Sequence, residues 1–201
     1  RQWLRRADDR QAAQQIKRLP WGSSGRVERS IGRVVALRGA DTVELGWERQ
    51  HPSEMQTDLG DRLMEAGGPE GLKLVGARAQ NWLRQEKSYR AFGTELGRDA
   101  TPIEADLPRF VDLSKEFHGK AAMEAIGVRS KCVTVLIDGP DDADPWGREA
   151  LYDGETRVGR LTSGGYSVAF GKSIGMGYVR PELAVPGTKL QVKIFDQLWN
   201  S

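Results

Sequence analysis

The chain has one cysteine, two histidines and little net charge, and each scarcity removes a class of function. With Cys132 alone among 201 residues there is no internal disulfide framework, and the composition fits a reducing compartment. Cys132 sits in the strand-like run Lys131–Ile137 with nothing nearby in sequence to stabilise a thiolate, which reads as a packed strand residue rather than a nucleophile. His51 and His118 are far apart in sequence and in no helical metal spacing, so no metal site is expected. The 30 basic and 28 acidic residues are interspersed and leave a formal charge of +2, too even a distribution for a nucleic-acid partner. No apolar run approaches the ~20 residues of a membrane span, and the start of the chain lacks a secretory apolar segment, so a soluble chain with no membrane partner is expected.

Two familiar loops are also missing. There is no Gly-x-Ser-x-Gly elbow, so hydrolase chemistry has no support, and no dinucleotide-binding Gly-x-Gly-x-x-Gly after a strand. Gly171-Lys-Ser173 mimics the end of a phosphate loop, but Tyr166 occupies the position of the earlier glycine, and a hairpin turn is the better reading.

What is present falls into two regions whose periodicity changes between about Thr101 and Lys131. Residues 2–19 have loosely helical spacing ended by Pro20. Ile31–Leu37 and Thr42–Trp47 read as strands. Ser53 with Gln56 forms a potential capping box ahead of Met55, Leu59 and Leu63, with Gly67-Gly68 as a left-handed stop. A further helix is expected over Val75–Gln85, carrying Ala77, Trp82 and Leu83. The second region holds short runs at Val133–Ile137, Thr156–Leu161, Tyr166–Phe170, Ile174–Val179 and Lys189–Phe195. Asp153-Gly154, Gly164-Gly165, Gly171 and Pro186-Gly187 separate them as turns. The expected class is α+β: mixed helix and strand first, then a small antiparallel barrel or sandwich.

Glu44 and Glu48 flank Leu45-Gly46-Trp47 four residues apart, which on one strand places both on one face. They read either as solvated strand carboxylates or as acceptors for the paired N–H donors of an aminopterin-like ring with Trp47 as stacking surface. Arg78 reads either as a helix-surface cation or as a partner for a ligand carboxylate.

At these residues the sequence resembles the aminomethyltransferase family, which includes the glycine-cleavage T-protein and the folate domains of sarcosine and dimethylglycine dehydrogenases. The stretches that carry the resemblance are Val43-Glu-Leu-Gly-Trp-Glu48, Leu63-Met-Glu-Ala-Gly67, Gly76-Ala-Arg78, Leu83–Arg90 with Gly93 and Glu95-Leu96, and Thr101-Pro-Ile-Glu-Ala105. Downstream are Gly159–Gly165, Gly171–Val179 and Pro186-Gly-Thr188. The match runs in order from about Arg33 to Phe195.

The resemblance implies part of a ferredoxin-like αβ folate-binding domain over residues 1–105 and the family's C-terminal β-barrel over 106–201. It implies tetrahydrofolate as cofactor, with Glu48 anchoring the pterin, Arg78 contacting folate, and Glu44, Trp47 and Tyr89 as further contacts. The chain then resembles the folate-binding portion of a demethylating oxidoreductase of the sarcosine or dimethylglycine dehydrogenase kind, which captures a one-carbon unit as 5,10-methylenetetrahydrofolate. The implied partners are the N-terminal half of the aminomethyltransferase domain and a dehydrogenase domain or subunit carrying FAD. The implied location is the cytoplasm, or the mitochondrial matrix in a eukaryote. Alternatives are an assembly subunit that kept the fold without folate, a folate domain of a trimethylamine-oxide demethylase, and a T-protein aminomethyltransferase. Departures from the family pattern bear on that choice. Asp41 stands where a tyrosine is usual, Val43 and Ser88 where glycines are usual, and Glu104-Ala-Asp106-Leu-Pro108 replaces two expected glycines.

Overall fold

A computed structural model describes residues 20, 23–29, 32–40, 42, 45–139 and 143–201. The chain divides into two compact units, residues 1–76 and 77–201. The helical pattern expected over residues 2–19 lies outside the described residues.

In the first unit, β1 (Ser24–Arg29), β2 (Gly32–Arg38) and β3 (Trp47–Gln50) form an antiparallel sheet in that order. β1 was not evident from sequence. The strand expected over Thr42–Trp47 begins only at Trp47, because Thr42 lies in a turn and Leu45 in a bend. Gly46 makes that bend possible: a Cβ there would lie 2.4 Å from the Ala40 Cβ and 2.6 Å from the Gly39 carbonyl oxygen.

Helix α1 (Gln56–Gly67) follows and buries Leu59. Its start differs from the capping box expected at Ser53. Ser53 already lies inside a 3₁₀ turn (Ser53–Met55), and no side chain caps either element, since tight-turn bonds such as Met55 N–H to the Pro52 carbonyl (3.1 Å) take up the entry. Its end differs as well. Gly67 (φ −94°) and Gly68 (φ −53°) are right-handed, and the left-handed residue is Gly71 at φ 84°. Gly67 serves close approach instead, because a Cβ there would lie 2.6 Å from the Leu72 side chain.

The second unit contains α2 (Ala77–Glu86), α3 (Lys120–Ile126) and six strands: β4 (Lys131–Ile137), β5 (Ala150–Asp153), β6 (Thr156–Ser167), β7 (Lys172–Val179), β8 (Gln191–Ile194) and β9 (Gln197–Asn200). All pairings are antiparallel in the order β4-β7-β6-β5-β8-β9. The sheet is not a closed ladder, but the Asp138 N–H donates to the Asn200 carbonyl at 2.8 Å, one bond that joins its two edges. Its core is Ile137, Leu151, Val158, Leu161, Val179, Leu190, Val192 and Ile194. The α+β class is as expected, and the sequence left β5, β9 and α3 unseen.

Gly164-Gly165 is not a turn. Thr156–Ser167 is one long strand, with Gly164 paired to Gly175 and Gly165 to Ile174. Both glycines answer to packing: a Cβ on Gly164 would lie 2.5 Å from the Pro145 backbone, and one on Gly165 2.1 Å from Trp82 Cδ1. The hairpin turn expected at Gly171 is present at φ 62°. Helix α2 packs on β6 and β7; of its expected apolar residues Trp82 sits against Gly165, but Leu83 is exposed and Arg84 and Gln85 are buried in its place.

Since backbone rather than a movable side chain opposes it, Gly164→Ala should cost about 1–3 kcal/mol or more. Gly97→Ala, with open space around it, should be close to neutral. Urea denaturation of the two variants beside the parent tests this, and equal midpoints would show that the Pro145 contact does not constrain β6.

Candidate functional site

In the first unit the candidate site is the β2–β3 pair. Arg38 faces Trp47 and Leu37 faces Glu48 across the ladder, so Trp47 and Glu48, adjacent on one strand, project to opposite faces. The Arg38 guanidinium stands 5.8 Å from the Trp47 ring centroid. Glu48 is exposed, and no described side chain pairs with its carboxylate. Glu44 lies outside the described residues, as do Asp41 and Val43. The one-face argument for Glu44 and Glu48 needs correction, because the regular strand does not extend back past Trp47.

In the second unit Arg78, in the first turn of α2, has its guanidinium carbon 4.3 Å from the Trp146 ring centroid and 5.9 Å from that of Trp82. Among the described residues no carboxylate or carbonyl takes its N–H donors. Tyr89 follows α2; its N–H donates to the Arg84 carbonyl (2.9 Å) and its own carbonyl accepts from Arg84 Nη1 (2.7 Å). That fixes the backbone while the ring is partly exposed. Glu48 and Arg78 thus lie in different units.

The second unit also holds a polar core, tied to the Tyr89 backbone through Arg84. The buried Glu95 carboxylate accepts on one oxygen from Arg84 Nη1 (2.9 Å), the Ala91 N–H (3.0 Å) and Thr94 Oγ1 (2.7 Å). On the other it accepts from Thr162 Oγ1 (2.8 Å) and Ser163 Oγ (2.5 Å). Neighbours on a strand ordinarily point to opposite faces, but the β6–β7 register shifts between Leu161 and Ser163, and this bulge lets both hydroxyls reach Glu95. Burial alone would raise the Glu95 pKa; the bonds from Ser163, Ala91, Thr94 and Thr162 outweigh it, and the net displacement is downward. A second anchor is Glu104, fully buried, which accepts from Arg129 Nε and Nη2 (both 3.0 Å), the Arg129 N–H (3.0 Å) and the Thr101 N–H (2.8 Å). The Arg129 guanidinium, against the opposing effect of burial, holds its carboxyl at about 2 instead of 4.5.

Ser88, where the family pattern has glycine, and Asp106, in the stretch that replaces two expected glycines, are both left-handed here, at φ 57° and φ 60°. Arg90 ties them together, donating from Nη1 to the Ser88 carbonyl (2.5 Å) and from Nη2 to the Asp106 carboxylate (3.3 Å). Ser88 Oγ also meets Thr134 Oγ1 at 2.7 Å. Cys132 is buried, and desolvation pushes its thiol up to about 11, as befits a packed strand residue. No cluster of metal-ligating side chains occurs among the described residues.

These features can be set beside known proteins. The GCVT N-terminal domain family matches residues 1–115, and the glycine cleavage T-protein C-terminal barrel domain matches residues 131–200. The chain belongs to the GCVT family. Within this family it is similar to mitochondrial dimethylglycine dehydrogenase of Rattus norvegicus, 39% identical over 82% of this chain and 20% of the relative. It is also similar to the aminomethyltransferase of Desulfitobacterium hafniense, 34% identical over 87% of this chain and 48% of the relative. The solved aminomethyltransferase T of the glycine cleavage system from Bartonella henselae shares the fold, with a TM-score of 0.79 and 24% identity over 92% of this chain and 51% of that one. The chain spans about a fifth of the dehydrogenase and about half of the aminomethyltransferases.

Arg84, Glu95, Thr162 and Ser163 lie within the stretches that carry the family resemblance, but nothing in the sequence around them signals a shared role. Arg84 and Glu95 are eleven residues apart, and the helix that holds Arg84 ends at Glu86, so no single element joins them. Trp146 was missed as well; its one signal is a large aromatic in a loop, Asp144-Pro-Trp-Gly147.

Removing the Glu95 carboxylate would strand the buried Arg84 charge. Glu95→Ala should cost about 3–5 kcal/mol, and Arg84→Met/Glu95→Leu should lose less than that single change. Chemical denaturation reads both, and additive losses would count against the pair. Glu104, with its pKa depressed from 4.5 to about 2, stabilises the fold above about pH 4.5, and that contribution is lost as pH falls toward 2. The urea midpoint should therefore drop across this window, and by less in Glu104→Gln.

Proposed function

We propose that the chain is the tetrahydrofolate-binding portion of a demethylating oxidoreductase of the dimethylglycine or sarcosine dehydrogenase kind. In this reading residues 1–105 contribute to the αβ folate domain and residues 106–201 are the barrel domain. Support comes from the family membership and from relatives named dimethylglycine dehydrogenase and aminomethyltransferase. The observation that carries the reading is Arg78, whose guanidinium carbon stands 4.3 Å from the Trp146 ring centroid while no described carboxylate or carbonyl takes its N–H donors; in the other unit, Glu48 is an exposed acceptor that no described side chain pairs.

Those groups fit a reduced folate. Its pterin offers paired N–H donors of the kind a carboxylate takes in two parallel bonds, and its glutamate tail offers carboxylates suited to a guanidinium fork. When bound, tetrahydrofolate supplies the nucleophilic amines that take up a one-carbon unit. The resemblance assigns the pterin to Glu48, with Trp47 and Glu44 as further contacts from the first unit, and assigns folate contacts to Arg78 and Tyr89 from the second, each taken as a role within its own unit. Holding cofactor and one-carbon donor together converts a bimolecular capture into a local one. The companion parts are the N-terminal half of the aminomethyltransferase domain and a flavin-bearing dehydrogenase portion, in the cytoplasm or mitochondrial matrix.

The rival reading, an assembly scaffold that gave up folate, rests on Asp41, Val43 and Ser88. Of these, Ser88 holds the left-handed backbone that a glycine would take, so its substitution carries little weight against binding. Calorimetric titration of a stable reduced folate into the complete assembly separates the two readings. Saturable binding weakened roughly 10- to 100-fold by Glu48→Ala is expected, the range for a lost charge-assisted hydrogen-bond pair. Absence of saturation in the parent assembly would establish the scaffold.

A further inference from the structure

We propose that Trp146 is a positioning residue for the ligand: its indole holds the Arg78 guanidinium by one face, so that the in-plane N–H donors present a planar fork to a carboxylate of the bound reduced folate. The proposal rests on the folate reading above and deepens it. The stretches that carry the family resemblance do not include Trp146.

Trp146 is 75% exposed, so core packing does not account for it, yet the segment that carries it is firmly held. The Trp146 and Gly147 N–H groups both donate to the Glu149 carboxylate at 2.8 Å. Pro145 abuts Gly164, and Gly147, at φ 99°, lies so close to Thr162 that a Cβ would come 2.5 Å from its carbonyl oxygen. Trp82, whose ring centroid is 5.9 Å from the same guanidinium carbon, is seated on Gly165. The guanidinium is closest to Trp146, at 4.3 Å from the ring centroid.

Stacking uses the face of a guanidinium and leaves its donors free in the plane, and among the described residues no acceptor takes them. A free arginine loses rotamer freedom when it grips a ligand. One already held by an aromatic face has lost part of that freedom beforehand, and its planar fork matches a carboxylate in two parallel bonds. Trp146 therefore acts through Arg78 and does not itself touch the carboxylate.

The test is calorimetric titration of a stable reduced folate into the complete assembly carrying Trp146→Ala, Trp146→Phe, Arg78→Ala or Trp146→Ala/Arg78→Ala, with thermal unfolding of each ligand-free protein. Trp146→Ala should weaken binding about 2- to 30-fold, the range of a cation–π contact, with the melting temperature unchanged. Trp146→Phe should recover most of the affinity, and the double variant should bind no more weakly than Arg78→Ala. Parent affinity in Trp146→Ala, with Arg78→Ala still weakened, would overturn the positioning role and leave the folate reading standing. An equal loss from Trp146→Ala in the Arg78→Ala background would overturn it too, by showing direct ligand contact. No saturation in the parent would bring down the folate reading and this inference together.

Discussion

A carboxylate taken fully out of water must be met by donors on every side or it destabilises the protein by several kcal/mol, and Glu95 is met by five. They come from α2, from the turn that follows it and from the bulge in β6. Satisfying one buried charge therefore fixes the helix on the sheet, the path of the chain after the helix and the irregularity in the strand at once. The Tyr178 hydroxyl, donating to the Glu95 carbonyl at 2.8 Å, brings β7 into the same arrangement. An apolar interface of similar volume could match its stability, but would fix orientation less sharply, because hydrogen bonds are directional where hydrophobic contact is not.

That organisation explains which parts of the protein could be read in advance. Strands whose apolar residues face the common core, such as Val133–Ile137 and Ile174–Val179, announce themselves by composition, and the structure contains them. The helix expected over Val75–Gln85 is present as α2 with Trp82 against the sheet, but Arg84 and Gln85 are buried where Leu83 is not, because hydrophobicity ranks Leu83 above Arg84 and takes no account of a carboxylate eleven residues on. Gly164-Gly165 looked like punctuation for the same reason: sequence shows that a side chain is absent, not whether the freedom is spent on a turn or on room for Pro145 and Trp82. The pattern of the candidate site was legible as types of residue, with Glu48 and Arg78 standing out. The stacking partner of Arg78 arrives from a loop 68 residues later, a distance no periodicity bridges.

Ser88 and Asp106 show how a backbone path that glycine makes easy can be held by other residues. Left-handed geometry disfavours side chains, serine and aspartate less than bulky ones. At Ser88 and Asp106 the strain is offset locally, since Arg90 bonds to the carbonyl of one and the carboxylate of the other. The turn after α2 and the turn before Pro108 are thereby joined through a single guanidinium. A difference in composition need not be a difference in shape.

The bond between Asp138 and Asn200 bears on a different matter, the behaviour of this sheet among its own kind. An open six-stranded sheet has two edges, each a row of backbone groups able to recruit a strand from another molecule. Here β4 spends its outer edge at both ends, on the Glu104 carbonyl through the Cys132 N–H (2.8 Å) and on Asn200 just past Ile137. The β9 edge meets β4 at that same rung. Where that rung is made the two edges occupy one another, and that end of the β4 edge is a poor template for an added strand.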